Sequence, residues 1–108
     1  MLNDNFELTP FVPEITQAGK TYAVEVLTGW MRHNAPKEVL IERAATVATI
    51  EHLLGWMMAN APEQLGLMLA LEREAQEDLP MTNAEIARSD ALIYFIEKAF
   101  EARDKAPA

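Results

Sequence analysis

Apolar residues recur along this chain at helical rather than strand spacing almost from end to end. At about 100° per residue, Ile15, Tyr22, Ala23, Val26, Leu27 and Trp30 share one face, while Gln17, Thr21, Glu25, Thr28 and Arg32 share the opposite one. The pattern predicts a first amphipathic helix over residues 13–33, with Pro13 in the first turn, where no amide donor is needed. A second helix is predicted over residues 36–59. Its apolar arc (Val39, Leu40, Ala44, Val47, Ala48, Ile50, Leu54, Met57, Met58) covers more than half the circumference, so it is expected to be the central element.

A third helix is predicted from Pro62 to just before Pro80. Its first half is apolar, whereas residues 72–78 are polar nearly all round. Acids at a helix C-terminus oppose the dipole, so this end is expected to fray unless a positive partner holds it. The fourth helix opens on Thr82-Asn-Ala-Glu85, the spacing of a capping box, and runs to about Arg103. Ile86, Leu92, Ile93, Phe95, Ile96, Ala99 and Phe100 form its predicted buried arc, with Asp90, Glu97, Lys98 and Glu101 outside. Ahead of the helices, Leu2, Phe6, Leu8, Phe11 and Val12 alternate with polar residues, and Pro10 and Pro13 break regular structure. The expected organisation is an extended N-terminal arm (1–12), one helical domain (13–104) and a disordered tail (105–108). The expected fold is all-α, a compact antiparallel four-helix bundle.

A repeat lies over this pattern. Leu27-Thr-Gly-Trp-Met-Arg-His-Asn-Ala-Pro36 returns 26 residues later as Leu53-Leu-Gly-Trp-Met-Met-Ala-Asn-Ala-Pro62, with seven of ten positions identical. The register continues outside it, with Ile15 on Ile41, Val24 on Ile50 and Glu25 on Glu51. One helix plus a short corner has about this length, so the chain reads as a repeated helix-and-corner unit. In each Asn-Ala-Pro corner, asparagine is expected to take the left-handed conformation that closes a helix, and proline to start the next. Trp30 and Trp56 sit one turn before the corners, placed to seal them. Gly29 and Gly55 lower helix propensity by about 1 kcal/mol each, which is best explained by close approach of a neighbouring backbone or ring.

Composition narrows the function. With 108 residues and half of them apolar, the chain suits a single globular domain. It has no cysteine, which excludes disulfides, thiolate metal sites and cysteine nucleophiles. No apolar run is long enough to span a bilayer, and the first residues lack a signal-peptide pattern, so a cytoplasmic location is expected. Seventeen acids against nine bases give a net charge of −8. Direct binding to nucleic acid or an anionic membrane is therefore disfavoured, and a partner protein should be basic or neutral.

Catalytic patterns are missing. His33 and His52 form no His-x-x-x-His or Glu-x-x-His motif, no glycine-rich phosphate loop occurs, and the single serine, Ser89, lies inside the fourth helix between Arg88 and Asp90. No enzyme and no cofactor are expected. Trp30-Met31 and Trp56-Met57-Met58 suit a ligand or haem pocket, with a histidine as axial ligand, but at helical spacing such residues are ordinary core. Glu51 is the odd residue. By phase it falls in the apolar arc, whereas its counterpart Glu25 is polar-facing. It is expected either at the rim of the bundle or paired with an arginine, such as Arg43 or Arg88, from another helix or subunit.

Protein binding remains. The sequence points to a small acidic adaptor or inhibitor that occupies a partner's surface, in one concrete form a phage- or plasmid-type inhibitor of a nucleic-acid-handling protein. Glu72, Glu74, Glu77, Asp78, Glu97 and Glu101 are the expected partner-binding acids. The wide apolar arc predicts a homodimer with Phe6, Phe11, Glu51, Met57 and Met58 at the interface. The alternatives are a small-ligand or haem-binding bundle and a purely structural dimerisation module.

Overall fold

A computed structural model of the chain describes residues 15–105. The arm with Phe6 and Phe11, the proposed start at Pro13, and residues 106–108 of the tail lie outside them. Among the described residues four α-helices are formed, α1 (Gln17–Met31), α2 (Val47–Asn60), α3 (Pro62–Asp78) and α4 (Asn83–Lys105), with a short 3-10 turn (Lys37–Leu40) between α1 and α2. Among the described residues there is no strand, and the all-α helical bundle expected from periodicity is what forms.

Three of the four helices start where a side chain takes up a free amide. The Thr16 hydroxyl accepts from the Gly19 amide at 3.1 Å, and the Thr46 hydroxyl accepts from the Thr49 amide at 3.1 Å. Pro62 occupies the first turn of α3. The Thr82–Glu85 capping box is reciprocal: the Glu85 amide donates to Thr82 Oγ1 at 3.1 Å, and the Thr82 amide donates to Glu85 Oε1 at 2.8 Å. The bond from the Thr82 amide, and next the Thr82 hydroxyl beside it, favour the charged carboxylate and hold the Glu85 pKa below its usual value. At the far end α4 continues to Lys105, past Arg103 and into the stretch expected to be disordered.

The second predicted helix is where the structure departs most from the sequence pattern. Residues 36–46 do not join α2. Lys37–Leu40 makes one 3-10 turn that drops Leu40 into the core, and residues 41–45 are non-helical. Side chains compete here for the backbone groups a helix would use. Arg43 Nε donates to the Leu40 carbonyl at 3.0 Å, and the Ala44 amide donates to Glu42 Oε1 at 2.8 Å. Gln17 Nε2 donates to the Ala45 carbonyl at 2.9 Å, tying this segment to the first turn of α1. The chain has thus returned to the start of α1 before α2 begins. As a result Ala44, Val47 and Ala48, expected inside, are exposed.

The core joins Ala23, Leu27 and Met31 of α1, Ile50, Leu53 and Met57 of α2, Leu65 of α3, and Leu92 and Ile96 of α4, all fully buried. The expectation that the second helix alone is central needs amending, because α4 also packs on all three other helices. It approaches α1 closely at one point, where a Cβ added at Gly19 would lie 2.9 Å from the Ala91 Cβ. Gly29 and Gly55 make no such approach. A Cβ at Gly29 would meet only Arg32 Nη2 at 3.9 Å, and one at Gly55 would meet nothing within 4 Å. On α4, Ile86, expected in the buried arc, is exposed instead.

The repeated corner is built the same way twice. Asn34 Nδ2 donates to the Trp30 carbonyl at 2.7 Å, and Asn60 Nδ2 to the Trp56 carbonyl at 2.9 Å. The Ala35 amide then donates to the Met31 carbonyl, and the Ala61 amide to the Met57 carbonyl, each at 2.7 Å. Asparagine therefore acts as a side-chain donor to a helix-end carbonyl. Asn60 is itself the last residue of α2 rather than a left-handed residue beyond it. Both tryptophans pack half-buried against the core.

Candidate interaction surfaces

The six acids expected to meet a partner divide into two groups. Glu72 faces inward across the bundle, where both its carboxylate oxygens lie within reach of the Tyr22 hydroxyl, at 3.0 and 3.1 Å. Burial, and next the hydrogen bond to Glu72, push the Tyr22 phenol up to about 12. Glu97 pairs with Arg73 across α3 and α4, and Glu101 lies near Lys98 (3.5 Å) and Lys105 (3.8 Å). These three acids are engaged within the chain. Glu74, Glu77 and Asp78 are exposed, and none makes a side-chain hydrogen bond or ion pair with another described residue.

The end of α3 is nevertheless helical through Asp78. Gln76 Nε2 donates to Ser89 Oγ at 2.8 Å and to Asp90 Oδ1 at 2.9 Å, which together with Arg73–Glu97 pins this half of α3 to α4. Ser89, only 1% exposed, is thereby satisfied as a buried polar group. The polar half of α3 is a strut held by three tertiary bonds to α4 and by the Tyr22–Glu72 bond to α1.

On the opposite side α3 presents an uncovered face. Glu63, Leu67, Ala70, Leu71, Glu74 and Asp78 are all exposed and fall within a sector of about 100°. Leu67 and Leu71 are 50% and 55% exposed. The face has an apolar centre with acids at both ends.

A second surface is an open groove of about 630 Å³ between α2 and α4. Leu54, Gly55, Met58, Ala59, Phe95, Ala99 and Ala102 form its apolar lining, with Glu51 on the α2 wall and Lys98 and Arg103 on the α4 wall. Glu51 is therefore exposed at the groove rim, and its repeat counterpart Glu25 is exposed too, so the predicted difference in burial between the two copies is not found. Glu51 pairs with neither Arg43 nor Arg88 within the chain. Of the expected interface residues, Met58 lines this groove, whereas Met57 is fully buried in the chain's own core and offers nothing to a second subunit. Neither tryptophan and neither histidine lines the groove; His52 instead contacts the Val39 carbonyl at 3.3 Å.

Among the described residues no three His, Asp or Glu side chains gather as metal ligands, and no helix is long and apolar enough to cross a membrane. Comparison with family models, with curated proteins and with solved structures returns no match.

Proposed function

We propose that this chain is a non-enzymatic protein-binding module of the cytoplasm, an adaptor or inhibitor that works by occupying a partner's surface through the outward face of α3. The observation that carries the proposal is the exposed row of Leu67, Ala70 and Leu71, with Glu63 before it and Glu74 and Asp78 after it. Amphipathic helices are recognised by partners that offer an apolar groove to residues spaced three and four apart. Acids at the ends of the row select a groove with a basic rim, and the net charge of −8 steers approach towards such a surface. Proteins that handle nucleic acid carry basic grooves, so inhibition of one of them is the concrete form of the proposal.

Two variants test it. Glu74→Lys/Glu77→Lys/Asp78→Lys reverses the acidic end, and the helix is expected to persist because positive charge suits its C-terminus. Leu67→Ser/Leu71→Ser removes the apolar centre without touching the core. A partner captured from the native host by the wild-type chain should be lost by both variants while their helical circular dichroism is unchanged. If both variants capture the same proteins as wild type, the α3 face is not the binding surface.

A further inference from the structure

The groove between α2 and α4 shares no residue with the α3 face, and its walls are oppositely charged. Glu51 stands on the α2 wall without a partner among the described residues. On the α4 wall the two charged residues that line the groove, Lys98 and Arg103, are both cations, although the chain as a whole is strongly acidic. Their acidic neighbours Glu101 and Asp104, which pair with Lys98 at 3.5 Å and with Arg103 at 3.3 Å, are not part of the lining. The floor between the walls is apolar, with half-buried Met58 and Ala99 beside Leu54 and Phe95, which belong to the buried core.

We propose that the groove is covered by the same groove of a second copy of this chain, in a closed two-fold dimer. A two-fold axis along the groove turns one copy over onto the other, so that α2 of each lies on α4 of its partner. Opposite walls then meet twice: Glu51 of one copy faces the Lys98/Arg103 wall of the other, and the reverse pair follows from symmetry. The apolar side chains still half-exposed in the groove, such as Met58 and Ala99, leave water as the helices meet, while the charged walls fix register at the edges. Gly55 fits this arrangement. No atom of its own chain fills the space where its side chain would be, and a neighbouring helix can approach most closely there. Repulsion between two chains of net charge −8 opposes the contact at low ionic strength. At physiological salt the screening length is about 8 Å, so the short-range pairs at the walls decide.

The test is the mass of the full chain in solution by sedimentation equilibrium at micromolar concentration. The wild type should give twice the 12.1 kDa chain mass. Glu51→Lys, and separately Lys98→Glu/Arg103→Glu, should each weaken the dimer by at least about tenfold. An equimolar mixture of the two variants should return to a two-chain mass, because both wall pairs are restored in the mixed dimer. Gly55→Arg should be monomeric and still folded, because arginine is a good helix former and lies four residues after Glu51. A wild-type mass of one chain overturns the proposal. So does a mass that climbs past two chains with concentration, the mark of a head-to-tail contact such as the α3 face entering the groove. A dimer indifferent to all three variants overturns it as well.

Discussion

Two glycines in helices predict opposite responses to the same substitution. At Gly55 a Cβ meets nothing within 4 Å, so Gly55→Ala gains helix propensity and gives up no packing. The gain is about 1 kcal/mol. At Gly19 the added Cβ would sit 2.9 Å from the Ala91 Cβ, closer than two carbons can approach, so α1 and α4 must separate or shift. Overpacking of this kind costs about 1–3 kcal/mol and exceeds the propensity gain, which is also smaller in a first turn. Gly19→Ala should therefore be less stable than wild type by about 1–2 kcal/mol, and Gly55→Ala more stable by about 1. For a domain of this size, each kcal/mol moves Tm by about 4–8 °C.

Urea unfolding followed by the fluorescence of Trp30 and Trp56 measures both variants. Low protein concentration keeps self-association out of the comparison. Ala91→Gly completes the experiment. On its own it should destabilise by about 1 kcal/mol, but combined with Gly19→Ala it should relieve most of the clash, giving a coupling of about 1 kcal/mol or more. If Gly19→Ala is as stable as wild type, α1 and α4 are not held at this spacing. If the double variant is simply additive, Ala91 is not what Gly19 makes room for.

Other substitutions probe the cap and the buried phenol. Thr46→Ala removes the acceptor for the Thr49 amide and the hydrogen-bond partner of the Thr49 hydroxyl, which is only 4% exposed; chemical denaturation should show a loss of about 1–2 kcal/mol. Tyr22 has a folded pKa pushed up to about 12, against 10.0 for a free phenol. The unfolded chain therefore releases this proton first as pH rises, so the stability contribution is complete below pH 10 and declines from there to about 12. Stability measured across that window should fall less steeply in Tyr22→Phe than in wild type. Equal slopes would mean that Tyr22 is not held neutral by burial and Glu72.

What the sequence made legible was local. The capping box at Thr82 and Glu85, proline in the first turn of α3, and the extent of α3 follow from chemistry within four residues, and each is present in the structure. The break at residues 41–45 was hidden because Lys37 to Ala45 is made of residues that helices accept, with apolar positions at helical spacing. Contacts from far along the chain reverse that preference, as Gln17 does at the Ala45 carbonyl and the core does by taking in Leu40. One local sign was available, since Thr46 and Thr49 can form a cap of their own. The fates of the acids were not readable at all: Tyr22 and Glu72 lie 50 residues apart, and Arg73 and Glu97 lie 24 apart. The glycines show the same limit. Their cost to a helix is visible in sequence, but which one faces a neighbour is decided by how the helices cross.

The Asn-Ala-Pro corner has a consequence for how such a chain can change. Every hydrogen bond that defines it, from the asparagine side chain and from the alanine amide, reaches back into the helix that is ending. None depends on what comes after the proline, and the two copies lead into different successors, a single 3-10 turn in one case and a long helix in the other. The corner is a full stop rather than a joint. Once duplicated, it leaves the downstream segment free to diverge, since the helix before it stays terminated whatever sequence follows.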